Sequence, residues 1–340
     1  MYRARGIVFM AGLSYRCICC CLTIGIISVL ILGCSPVPKS GPMWSNPTDI
    51  APGSGDYFDS ISCTGPEFCG AIGSQTLIVT SKGAHHWSKP APDNTNPQSS
   101  GAAFLSCPTV GFCAAVDANG YALTYDGRSS RPPVEVEPSL VPGLIYAVPH
   151  FTSCPSDKFC LSVDTNGYTL RYQDGVWSAS LPRVDESGEV TSLSCPTTTF
   201  CMAVDGRGQA FVFNGDSWQP RIVADPVAST SAGGMGSWVS CPTITFCMLV
   251  DYSGYYATYD GGKWSNPQRF DVTSGGYETV SCASKGSCVA IDAGGNTFLY
   301  TRSSWTESQR IEPGQNNWSI SCPTNRFCVA TDGQNSFTYS

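Results

Sequence analysis

One unit of 40 to 47 residues recurs seven times and leaves few folds open to this chain. Each copy carries a serine, a cysteine, five residues and a second cysteine. A short apolar run ending in Asp, a glycine turn and an aromatic segment follow, as in SCPTTTFCMAVDGRGQAFVFNGDSW from Ser194 to Trp218. The cysteine pairs are Cys63/Cys69, Cys107/Cys113, Cys154/Cys160, Cys195/Cys201, Cys241/Cys247, Cys282/Cys288 and Cys322/Cys328. A fixed period of this length, rich in aromatics and glycine turns, is the signature of a β-propeller with one blade per repeat. The expected fold is all-β: seven four-stranded blades, each with one hairpin disulfide.

Within a repeat, Val-Ser-Cys before and Cys-x-Ala-Val-Asp after read as two antiparallel strands joined by a five-residue turn. Cysteines at the mouth of such a hairpin stand at disulfide distance. Zinc is the rival reading of paired cysteines, but zinc sites favour closer spacing and no histidine accompanies the pairs. No metal or cofactor site is expected. Met202-Ala203-Val204-Asp205 and its counterparts are apolar on one face and small on the other, as strands buried on both sides must be. The Asp then opens a turn by accepting backbone N–H groups, while Gly or Asn supplies positive φ. Blade 1 has Gly73 in place of the Asp. A fourth strand begins near Trp87, Trp177, Trp218, Trp264 or Trp305, read as packing residues between blades; blade 2 has Ser130 near that position.

Blade 7 ends at Ser340 after its third strand. Met43-Trp44-Ser45-Asn46-Pro47 parallels Lys263-Trp264-Ser265-Asn266-Pro267 of blade 5. The first strand of residues 44–340 is therefore expected to complete the last blade, as in WD-repeat propellers, tying down both ends.

The chain has 19 cysteines, an odd number: four lie at Cys17, Cys19, Cys20 and Cys21, fourteen form the pairs, and Cys34 stands alone. Arg3, Arg5 and Arg16 precede an apolar run from Cys21 to Gly33, which reads as an export signal. Ile31-Leu32-Gly33-Cys34 resembles the bacterial lipobox, implying cleavage after residue 33 and acylation of Cys34; an uncleaved membrane anchor is the alternative. Residues 1–33 are then the signal, 34–43 a Pro-containing tether, and 44–340 the propeller. If strands run from axis to rim in order, the tether leaves from the face bearing the cysteine hairpins. The long connections around 88–102, 131–149 and 219–236 then point away from the membrane. Removing the three leader arginines from 19 basic residues leaves 16 against 26 acidic ones, a net charge of −10. Such a surface repels phosphate backbones, so nucleic acid is not an expected partner.

The pattern SCPTxxFCxAVDxxGYAxxYDGxxWS resembles repeat segments in exported actinobacterial proteins, lipoproteins among them, over about residues 44–340. The resemblance implies a binding or scaffold propeller. The Asp-x-x-Gly turns differ from the sialidase Asp-box, lacking its Ser-x-Asp-x-Gly-x-Thr-Trp order.

The leading functional expectation is a membrane-tethered, extracytoplasmic, monomeric propeller, without enzymatic activity, that binds a protein or an envelope glycan. The alternative is a hydrolase or lyase, which requires a cluster that breaks the repeat. Counting back from the first cysteine places Asp59, His150 and Glu278 at equivalent inner-strand positions, where they could meet at the channel mouth. His85 and His86 are read as solvent-exposed.

Overall fold

The computed structural model describes residues 43–73, 78–82, 85–89, 104–136, 150–179, 181–184, 189–228, 236–270, 279–311 and 318–340. These belong to one compact unit, Met43–Ser340. Cys34 and Glu278 lie outside the described residues.

The described residues form seven antiparallel four-stranded sheets and no α-helix. Blade 3 illustrates the unit: His150–Ser156, Phe159–Asp164, Thr169–Gln173 and Val176–Ser178 pair in sequence order. Its second strand is buried along its whole length, its one charged residue, Asp164, standing at the turn that ends it.

Every expected cysteine pair is bridged. Cys63–Cys69, Cys107–Cys113, Cys154–Cys160 and Cys195–Cys201 staple blades 1 to 4. Cys241–Cys247, Cys282–Cys288 and Cys322–Cys328 staple blades 5 to 7. Their Cα atoms are 3.9–4.1 Å apart. The hairpin is tighter than five residues. In blade 3, Ser156 pairs with Phe159 across a turn at Asp157-Lys158, and a register shift falls between Ser153 and Ser156. Pro155 sits in that irregular step, where its missing N–H costs the ladder nothing. The fourth strand also differs from expectation, because proline splits it. Trp218 and Trp264 form isolated bridges to Phe213 and Tyr259, and two-residue strands resume only at Ile222–Val223 and Gln268–Arg269. Pro220 and Pro267 occupy the gaps. Blade 6 has no proline there and keeps a continuous strand, Ser304–Arg310.

Ring closure follows the sequence expectation. Thr48–Asp49 pairs with Asn335–Tyr339, completing the seventh sheet. Trp44 bridges Tyr339 with ring centroids 5.4 Å apart, and Ser45 N donates to Thr338 O at 2.7 Å. Met43 N donates to Ser340 O, so the chain enters the ring at the end of the sheet where the cysteine hairpins turn.

Two devices join neighbouring blades. The first is the disulfide itself, which packs on the residue following the second cysteine of the preceding blade. Ala114 meets Cys154/Cys160, Leu161 meets Cys195/Cys201 and Met202 meets Cys241/Cys247. The same contact continues to the seam, where Met248 meets Cys282/Cys288, Val289 meets Cys322/Cys328 and Val329 meets Cys63/Cys69. At Gly70 even a Cβ would come within 2.8 Å of Cys107 Sγ, which explains the glycine there. The second is a closed ring of hydrogen bonds around the axis. In all seven blades the serine before the first cysteine accepts from the N–H of the next blade's first cysteine: Cys107 to Ser62, Cys154 to Ser106, Cys195 to Ser153, Cys241 to Ser194, Cys282 to Ser240, Cys322 to Ser281 and Cys63 to Ser321, each at 2.9 Å. Replacing Ser240 by Ala orphans the Cys282 N–H. Urea denaturation should show a loss of about 1–2 kcal/mol with an unchanged m-value; no loss would mean that water replaces the serine.

Candidate functional site

Of the inner-strand residues picked out by counting from the cysteines, His150 lies opposite Asp164 and is fully buried. Asp59 is half-buried at a register shift between Phe58 and Ser60, so that Phe58, not Asp59, stands opposite Gly73. The bulge displaces Asp59 by one residue from the place His150 holds, which a count along the chain does not reveal. His85 and His86 are exposed. Among the described residues, no group of three His, Cys, Asp or Glu side chains stands close enough to hold a metal ion.

The repeated Asp residues cap their turns. Asp205 Oδ1 accepts from the N–H groups of Arg207 and Gln209, and Asp251 Oδ1 from those of Ser253 and Tyr255. Asp117, Asp164, Asp292 and Asp332 repeat the arrangement. Asp251 has an additional neighbour that lies outside the repeat. Asp225, in the connection from blade 4 to blade 5, is fully buried and stands against the Asp251 carboxyl. Burial pushes Asp251 up to about 6, and the Asp225 carboxyl adds to the rise, against the pull of the Tyr255 and Ser253 N–H groups. Because this folded-state value lies above the unfolded one, Asp251's contribution to stability is full below about pH 4 and is lost as pH rises towards 6. The loss amounts to at most about 3 kcal/mol. Asp251→Asn should flatten that part of the stability–pH curve in chemical denaturation; an unchanged slope would remove the pair as its source.

A cleft of about 660 Å³ opens on the rim between blades 2 and 3. Its blade-2 wall contains Asp126, Arg131, Val134, Glu135 and Val136, and its blade-3 wall Tyr172, Val176 and Trp177. Arg131, Val134, Glu135 and Val136 of the blade-2 wall come from the stretch where that repeat lacks tryptophan and has Arg131-Pro132-Pro133. Arg131 pairs with Asp126 at 3.2 Å on the lip. The floor is aromatic: Phe112 stacks on Tyr172 at 5.4 Å, and Tyr172 packs on Trp177 at 5.3 Å. Burial raises the Tyr172 phenol, helped by Asp157, so at neutral pH it carries a proton to donate. Val134 and Val176, one on each wall, are 61% and 67% exposed.

The tryptophans pack between blades as expected, and each faces the preceding blade. Trp218, Trp44 and Trp87 donate their indole N–H to Thr169, Thr297 and Ser336. The corresponding residues for Trp177, Trp264 and Trp305 are Ala122, Ala210 and Tyr256, and the buried N–H groups of these three tryptophans have no hydrogen-bond partner. A second opening of about 440 Å³ lies between blades 3 and 4, beside Trp218, Arg183 and Arg221.

No protein-family model matches the chain, and no curated protein matches it in sequence. In fold it is similar to many solved propellers. One is YCF48 bound to D1 peptide, at 12% identity and TM-score 0.60, covering 89% of this chain and 98% of that one. The WD40 β-propeller domain of Doa1 gives 10% identity and TM-score 0.61, covering 87% of this chain and 97% of that one. A catalytically inactive virginiamycin B lyase from Staphylococcus aureus gives 8% identity and TM-score 0.68, covering 88% of this chain and 99% of that one. At such identities the likeness carries the fold alone.

Proposed function

We propose that this propeller is an exported, lipid-anchored scaffold that binds a protein partner through the rim cleft between blades 2 and 3. The observation that carries the reading is the cleft itself, an aromatic floor with an exposed valine on each wall and an ion pair on the lip. Apolar and aromatic surface of this kind, held on a stapled frame, supplies the buried centre of a recognition site at small cost in ordering. The peptide complex of YCF48 supports the reading by analogy of fold. Export follows from the apolar leader, and anchoring from Cys34 at the lipobox position.

The test is site-specific photo-crosslinking in intact cells, with the crosslinker at Val134 and, as a control, at the equally exposed Val223 of blade 4. One protein should crosslink from Val134 and not from Val223. Val176→Asp should lower its recovery about tenfold, the effect of losing one central apolar contact. Equal labelling from both positions, or a glycan at Val134, would overturn the assignment. Mass spectrometry of the mature N-terminal peptide separately decides whether Cys34 is acylated.

A further inference from the structure

We infer that the outer edge of blade 6 takes up an extended segment of a protein partner as a fifth strand. A fourth strand has one edge paired and one open, and an open edge is a template that natural sheets interrupt or cover. Six blades interrupt it. Their fourth strands are two or three residues long. Each also has a proline within five residues of its tryptophan or, in blade 2, of Ser130: Pro47, Pro90, Pro132, Pro182, Pro220 and Pro267. Blade 6 has none before Pro313, and its strand Ser304–Arg310 runs for seven residues.

The register identifies which main-chain groups are open. Thr301 pairs with Ser304 across a two-residue turn, Arg302-Ser303, with positive φ at both positions. The pair flanking such a turn exchanges hydrogen bonds, and along an antiparallel strand bonded residues alternate with residues whose N–H and C=O point away. Ser304 and Thr306 therefore serve the third strand, while Trp305 and Glu307 direct their groups outwards. Blades 2 and 4 show the same alternation. There Arg131 N donates to Thr124 O and Gln219 N to Val212 O, in the place that Thr306 takes opposite Leu299. The next residue, in the place of Glu307, is Pro132 or Pro220, which has no N–H to offer. A register shift beyond Glu307 ends the regular edge, so the open ladder is Ser304–Glu307. Only an extended polypeptide presents N–H and C=O groups at the spacing to match it. Side chains narrow the class. Trp305 is half-buried and stacks on Phe270 at 4.5 Å, and Glu307 offers an exposed carboxylate. The residues of the entering strand opposite these two are accordingly apolar and basic. Blade 6 lies half a turn of the ring from the cleft between blades 2 and 3, so the inference stands apart from that site, and both can be filled at once.

The experiment places a photo-crosslinker at Thr306 of the full chain in intact cells and identifies the captured protein. That protein, purified, is then added to the parent chain for amide hydrogen exchange. The Trp305 and Glu307 amides should slow at least about tenfold on binding, while the Thr306 amide, already bonded, should not change. Glu307→Pro, which gives blade 6 the residue of blades 2 and 4, should cut recovery at least about tenfold. Glu307→Gln keeps the N–H and should cut it no more than about fivefold, the worth of one exposed ion pair. Where Glu307→Pro does not fold, the exchange measurement on the parent chain decides alone. No capture from 306, capture of a second copy of this chain, or a complex in which the Trp305 and Glu307 amides exchange as before overturns the inference. Capture from 306 with these amides slowed, but none from Val134, retains it and fails the cleft.

Discussion

Complete reduction of the seven disulfides is expected to unfold the propeller at 37 °C. Each closes a short loop and restrains the unfolded chain by about 2 kcal/mol. Seven such restraints total roughly 15 kcal/mol, at or above the whole stability of an ordinary domain, about 5–15 kcal/mol. Packing adds to the loss, because each bridge is also part of the contact with the preceding blade. The second cysteine of each bridge is 0–3% exposed and the first 5–8%, so reduction of the folded ring should be slow. The measurement is guanidinium denaturation with and without phosphine reductant, with thiols counted to confirm reduction. A reduced chain that keeps a cooperative transition within about 1 kcal/mol of the oxidised one would contradict the view that the staples hold the ring.

The second large effect is expected at Trp44. Its indole is 5% exposed, packs with Ile311, Phe337 and Tyr339, and donates to Thr297 of blade 6. It therefore holds the entering strand to two blades at once. Trp44→Ala should cost about 4 kcal/mol, near the upper range for a buried aromatic, because the cavity it leaves lies at the seam. The seam should also open locally: limited proteolysis should cut within residues 45–50 of the variant well below its unfolding midpoint and spare the parent protein. A loss under about 1 kcal/mol, or cleavage spread evenly over the connections, would show that the seam closes without its tryptophan.

What the sequence made legible was whatever recurs. Cysteine spacing, Asp turns and the Trp44 echo of Trp264 are local signals repeated often enough to read. The serine ring was visible as a pattern, Ser62 to Ser321 each preceding a cysteine, but its role was not. Six of the hydroxyls serve the next repeat, 41 to 48 residues away, and Ser321 serves Cys63 across 258, which no spacing within a repeat reveals. The split fourth strands could have been foreseen from Pro220 and Pro267, whose missing N–H groups interrupt a ladder. The Asp225–Asp251 pair and the cleft could not. Asp225 lies outside the repeat, and the cleft is the space left between an irregular blade 2 and a regular blade 3.

The seam also sets an order in time. Ser45 and its partner Thr338 are 293 positions apart, so the first strand to be synthesised stays without its neighbour until the last residues arrive. Six blades can form their internal hairpins as they emerge, whereas the seventh waits for both ends of the chain. Until then the last sheet has an open edge, and an incomplete chain is the form most exposed to wrong pairing or proteolysis.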